Sequence, residues 1–137
     1  MKRLFVDTGG WMSLADESDP LHKDSMKVRD TWLEQGGILV TTDYVMDETL
    51  TLIRMRLSIY AAERWWEQVS ESPRVKWEWI NTERAEKARA WFFRWKDKLF
   101  SYTDCTSFII MRELHIKKVL TGDRHFREAG FEIFPGN

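Results

Sequence analysis

The feature that most restricts what this chain can fold into is the alternation of short apolar runs with longer segments of helical period. The runs are RLFVD (3–7), ILVTT (38–42), RVKWEWI (74–80), KVLT (118–121) and FEIF (131–134). Two consecutive strands with a helix between them cannot form a hairpin. The connection must cross over, which makes the strands parallel and covers the sheet with helices on both faces. Strands buried on both faces read as continuous apolar runs rather than alternating ones, as most of these do. RVKWEWI alternates enough to sit at an edge. The expected class is therefore α/β with a parallel or mostly parallel sheet. In such sheets ligands bind beyond the carboxyl ends of the strands.

The helical segments carry their own punctuation. TGG after the first run reads as a turn, with a short helix WMSLAD following. In DPLHKDSMKVRDTWLEQGG, Asp19 is the expected N-cap, Pro20 the first helical residue and Gly36–Gly37 the stop. Residues 43–57 form a helix capped by Thr42 or Asp43, and 59–72 a second with Ile59, Ala62, Trp66 and Val69 inward. The stripe Ala85, Ala88, Phe92, Trp95 and Leu99 predicts a helix over 82–99. YTDCTSFIIMREL is helical, and RHFREAG is a brief helix before the last strand.

Composition sets the outer limits. At 137 residues, 43% hydrophobic and 31% charged, the chain is expected to be one soluble globular domain spanning 1–137. Its net charge of −1 supplies no overall basic field, so a nucleic-acid partner would need a local basic surface or bound metal. The single cysteine, Cys105, lies in an apolar run and suits a buried thiol in a reducing compartment. No apolar run approaches membrane-spanning length and no leader precedes the first strand. The expectation is a cytoplasmic protein without a membrane partner.

Four acids fall where such a sheet would hold a ligand. Asp7 ends the first strand, Asp123 follows KVLT, Asp104 lies in the first turn of its helix, and Glu48 is in the helix after ILVTT. Local structure offers another use for three of them. Asp7 suits an Asx turn or a helix cap, Asp123 an N-cap, and Asp104 a capping box with Ser101. Glu48 is harder to assign this way, because it shares a row with Val45, Leu52 and Met55 that should face the core. Asp104 likewise shares a row with Phe108 and Met111. Carboxylates on apolar stripes need a partner, and no Arg or Lys lies on those rows. Carboxylates brought close together repel and take up protons unless a cation joins them. Oxygen donors without Cys or His point to Mg2+ or Mn2+. Helix N-termini on the same rim favour phosphate, and the combination describes metal-assisted phosphodiester hydrolysis.

With VDT after the first strand, a lone Glu in TDYVMDETL, SYTDCTSF opening a helix and LTGDRHF after a late strand, the chain resembles the PIN-domain nucleases. Within them it is similar to the VapC-type toxins of toxin–antitoxin pairs. The resemblance runs from the first strand to GFEIF. It implies a three-layer α/β/α sandwich with strand order 3-2-1-4-5, and an acidic quartet of Asp7, Glu48, Asp104 and Asp123 that is both catalytic and metal-binding. Thr8 and Ser107 would support the site through their hydroxyls. It further implies RNA as substrate, cleaved by water to a 5′-phosphate and a 3′-hydroxyl, a cognate antitoxin and a homodimer. Gly9–Gly10 and Gly122 depart from the family pattern beside two of the acids.

Other residues are read more plainly. His22, His115 and His125 lack zinc-ligand spacing and are expected at the surface or at helix ends. Arg124 and Arg127 flank Asp123, where they could grip phosphate or lie on a solvated helix face. Trp65 and Trp91 fall off their stripes, which fits either a partner surface or burial under a neighbouring helix. A phosphatase of the haloacid-dehalogenase type would need an acid at position 9, where Gly stands. The remaining alternative is a catalytically silent PIN-like module that binds RNA or protein.

Overall fold

A computed structural model describes residues 2–136. The elements run β1 (Arg3–Val6), α1 (Thr8–Ala15), α2 (His22–Glu34), β2 (Ile38–Thr42), α3 (Asp43–Arg56), α4 (Ile59–Glu71) and β3 (Val75–Glu78). They continue with α5 (Thr82–Arg94), α6 (Tyr102–Glu113), β4 (Lys118–Leu120), α7 (His125–Glu128) and β5 (Glu132–Phe134). The five strands form one sheet in the order β3-β2-β1-β4-β5, every neighbouring pair parallel. The expected order and class are both present, and the alternating run does lie at an edge. Central β1 is the most enclosed strand: Leu4, Phe5 and Val6 have no exposed surface. The order reverses beside β1, which opens the crevice between the ends of β1 and β4.

Several local expectations are corrected. TGG is not a turn: Asp7 caps α1 directly, and Thr8, Gly9 and Gly10 are its first helical residues. Gly10 permits this, because a Cβ there would lie 2.2 Å from the Leu120 carbonyl oxygen, so only glycine lets α1 approach β4 this closely. Helix α2 begins at His22 rather than Pro20. Asp19 instead closes the preceding turn, its Oδ1 accepting from the Leu21 backbone N–H at 2.8 Å. Thr42 is the cap of α3.

The aromatic stripes shift by one residue. On α4 the buried side chains are Ala62, Trp65 and Val69, while Ile59 and Trp66 are exposed. Trp65 packs edge-on against Trp11 with ring centroids 5.6 Å apart. Helix α5 ends at Arg94, and its buried residues are Ala88 and Trp91, not Phe92, Trp95 and Leu99. Trp91 packs on Phe108 of α6 at 5.3 Å. Of the two readings of these off-stripe tryptophans, burial is the one observed. Cys105 is fully buried, and that burial pushes its thiol up to about 12. Among the described residues no helix is long and apolar enough to cross a membrane.

Candidate active site

Three of the four acids meet at the carboxyl end of the sheet. Asp7 is delivered by β1 and fixed by two hydrogen bonds. Its Oδ1 accepts from the Gly10 N–H at 2.8 Å, and its Oδ2 accepts from the Thr121 hydroxyl at 2.8 Å. Thr121, just past β4, also accepts from the Asp123 N–H at 2.9 Å. One hydroxyl thus ties the first acid to the last across more than a hundred residues of chain. Asp123 does not cap α7 as an N-cap. Its Oδ1 accepts from the His125 N–H two residues on, at 2.9 Å.

Asp104 closes its capping box and also faces the acidic group. The capping box is complete: Ser101 Oγ accepts from the Asp104 N–H at 2.9 Å, and Asp104 Oδ2 accepts from the Ser101 N–H at 3.1 Å. The same Oδ2 lies 3.6 Å from His125 Nδ1, which is also 3.2 Å from Asp123 Oδ1. Ligand atoms of Asp104, Asp123 and His125 all fall within 4.8 Å of one another. His125 stands at a helix end, as expected, but it is a member of the acidic group. Its proximity to Asp123 in GDRHF was the one available signal, and the zinc-spacing test passed over it.

Electrostatics mark the group as charge-starved. Burial raises the Asp7 carboxyl to about 7, with the Gly10 and Thr121 hydrogen bonds opposing the rise and the charges of Asp104 and Asp123 adding to it. Asp104 is raised as well, first by burial, with Asp123 adding and Ser101 and His125 opposing. Carboxylates whose charged form is disfavoured by burial and, to a lesser degree, by one another are the ones a cation would stabilise most. The donor set, two or three carboxylates with one imidazole, fits a divalent metal ion.

Glu48 stands apart. It is half-buried on α3 and belongs neither to the close group nor to the charges that move Asp7 or Asp104. The buried row of α3 is Val45, Thr49 and Ile53, while Met55 is 76% exposed, so Glu48 flanks the core instead of facing it. Tyr44, one turn earlier, has its ring 6.1 Å from that of Tyr102 at the start of α6. Thr8 and Ser107 are buried, and their hydroxyls have no hydrogen-bond partner among the described residues. Arg124 is exposed. A Cβ at Gly9 would lie 3.5 Å from Asp7 Oδ1, an ordinary contact, so glycine there leaves the carboxylate more open without being required. At Gly122 a Cβ would come within 2.8 Å of the Leu21 side chain.

Residues 4–132 match the PIN domain family. This chain is a PIN-domain protein. It is similar to the 23S rRNA-specific endonuclease VapC20 of Mycobacterium tuberculosis, with 30% identity over 133 residues, covering 96% of this chain and 98% of that one. A VapC ribonuclease of Archaeoglobus fulgidus is 31% identical over 116 residues, covering 83% of this chain and 73% of its own. The crystal structure of VapC20, described as a sarcin-ricin-loop-cleaving toxin, superposes with a TM-score of 0.86 at 29% identity, covering 94% and 96% of the two chains. FitAcB from Neisseria gonorrhoeae shares the fold alone, with a TM-score of 0.66 at 12% identity and 96% coverage of both chains.

Proposed function

We propose that this PIN-domain protein is a metal-dependent endoribonuclease, the toxin of a toxin–antitoxin pair. The observation that carries the reading is the group of Asp7, Asp104 and Asp123 on the sheet rim, with Asp7 raised to about 7 by burial and by its acidic neighbours. In this reading those three acids and Glu48 form the catalytic set and hold Mg2+ or Mn2+. Glu48, contributed by α3, would complete the set. Bound there, a divalent ion supplies the Lewis acidity and the activated water of phosphodiester hydrolysis.

The protein's own groups do the remaining work. The Gly10 N–H and the Thr121 hydroxyl hold Asp7 in one rotamer, so its oxygens need little rearrangement before reaction. Asp7 or Asp104 takes the proton of the attacking water. His125 Nδ1 lies between the carboxylates, 3.6 Å from Asp104 Oδ2 and 3.2 Å from Asp123 Oδ1. The hydroxyls of Thr8 and Ser107, buried and without partners among the described residues, are left free to support the site. Water as nucleophile leaves a 5′-phosphate and a 3′-hydroxyl. The likeness to VapC20 makes ribosomal RNA the first substrate to test, and an antitoxin and a second copy of the chain the expected protein partners.

The test is cleavage of 23S rRNA and of mixed structured and single-stranded RNAs, with Mn2+ or Mg2+ and then with EDTA. Folded Asp7→Asn, Asp104→Asn and Glu48→Gln variants run alongside. Cleavage that requires metal and is lost in the variants supports the reading. RNA binding with no cleavage of any substrate would replace it with a silent binding module. Full activity in Glu48→Gln alone would remove Glu48 from the set.

A further inference from the structure

A groove of about 570 Å3 opens between the end of α5, the C-terminal half of α6 and the end of α7. Its size falls within the range of small-ligand pockets, roughly 300–1,000 Å3. Its charge is one-sided. Lys87, Arg94, Lys98 and Arg112 line it against a single acid, Glu128. Lys87 is paired with Glu83 at 3.4 Å on the same helix. Arg94, Lys98 and Arg112 make no salt bridge among the described residues. In a chain of net charge −1 this is a local basic surface of the kind an anionic partner needs.

Aromatic rings are interleaved with those charges. Trp91 lies at the base of the groove with the Arg112 guanidinium 4.5 Å from its ring, and its indole N–H has no hydrogen-bond partner among the described residues. Trp95 stands in the wall with Arg94 at 5.5 Å from its ring, and it is 42% exposed. An exposed tryptophan beside unpaired cations resembles neither a core nor an ordinary solvated face. It combines a stacking surface for a base with charges for the phosphates on either side of it.

The groove neighbours the acidic group. Phe100 lines it, and the Phe100 ring is 5.9 Å from that of His125, which contacts Asp104 and Asp123. A strand lying in the groove therefore passes near His125 and the two carboxylates it contacts. Resting on the nuclease reading above, we propose that this α5–α6–α7 groove binds an unpaired stretch of RNA next to the cleaved phosphodiester. One base stacks on Trp95, and Arg94, Lys98 and Arg112 hold the phosphates. Base-paired RNA would not serve, because its bases are already stacked on one another and cannot turn to the indole.

The test reads binding without cleavage. A fluorescein-labelled oligouridylate of about 12 nucleotides is titrated in EDTA and followed by anisotropy across a salt series. Trp95→Ala should weaken binding by roughly fivefold to a hundredfold, and Trp95→Phe should recover part of it. The Arg94→Ala/Lys98→Ala double variant should flatten the dependence of log affinity on log salt by about 1.4. All three side chains are at the surface or half-buried, so thermal melting should stay near wild type. Unchanged binding in Trp95→Ala and in the double variant, equal competition by duplex RNA, or no binding by the wild type would each overturn the proposal. Metal-dependent cleavage by the wild type, assayed separately, distinguishes these outcomes from failure of the nuclease reading. A wild type that cleaves, with groove variants that cleave and bind equally well, overturns the groove and leaves the nuclease standing.

Discussion

Replacing Asp7 by Asn should stabilise the metal-free protein at neutral and higher pH while ending its activity. The folded protein raises this carboxyl from 3.8 to about 7 because burial disfavours its charged form. Between those values the native state retains a proton that the unfolded chain has released. Stability is therefore undiminished below about pH 3.8, falls as pH rises through the window, and carries the full penalty above about 7. At about 1.4 kcal/mol for each tenfold difference in proton affinity, the penalty is of the order of 4 kcal/mol. Asparagine removes it and keeps the cap bond from Gly10. It disturbs the bond with Thr121, whose hydroxyl must then accept where it had donated, at a cost of about 1 kcal/mol. The net gain at about pH 8 is near 3 kcal/mol, or about 10 °C in Tm. Urea unfolding in EDTA from about pH 4.5 to 8 measures it: the advantage should be small at the acid end and grow with pH. Mn2+ at about a thousandfold excess over Kd should reverse the order, since wild type alone gains, by about 4.1 kcal/mol. A variant less stable than wild type at pH 8 without metal, or one whose advantage ignores pH, would refute the burial argument.

Gly10→Ala should destabilise by about 1–3 kcal/mol or more and displace Asp7, because the new methyl meets the Leu120 carbonyl oxygen; thermal melting reads the loss directly. Asp104→Asn should abolish metal-dependent cleavage while changing stability by no more than about 1 kcal/mol, since the Ser101 half of the capping box survives; activity and melting together separate the two roles. Cys105, held near 12 by burial, should resist iodoacetamide at about pH 8 until the chain is unfolded, as intact-mass measurement would show; rapid alkylation of the native protein would contradict its burial. Trp65→Ala should cost about 3–5 kcal/mol, where Trp66→Ala costs much less, because only the first is enclosed against Trp11.

The sequence by itself determined what depends on near neighbours and on gross pattern. The strands were readable because a run buried on both faces is apolar throughout, and the Ser101–Asp104 box and the Thr42 cap because each closes within three residues. Tertiary structure decided everything that turned on a choice between similar neighbours. Trp65 and Trp66 both continue a stripe from Ala62 to Val69, and the position of Trp11 selects one of them. Phe92 continues the row of Ala88 as well as Trp91 does, until the ring of Phe108 fixes which is inside. TGG reads as a turn until β4 is brought against it, and then Gly10 is what allows a helix to lie so close. The site divides in the same way. Its acids could be named from their places at strand ends, but the hydroxyl of Thr121 that joins Asp7 to Asp123, and the imidazole of His125 between Asp104 and Asp123, are contacts that exist only once β1, β4 and α6 are packed side by side. That Glu48 falls outside the close group of Asp104, Asp123 and His125 is likewise decided by the packing of α3, which no spacing along the chain encodes.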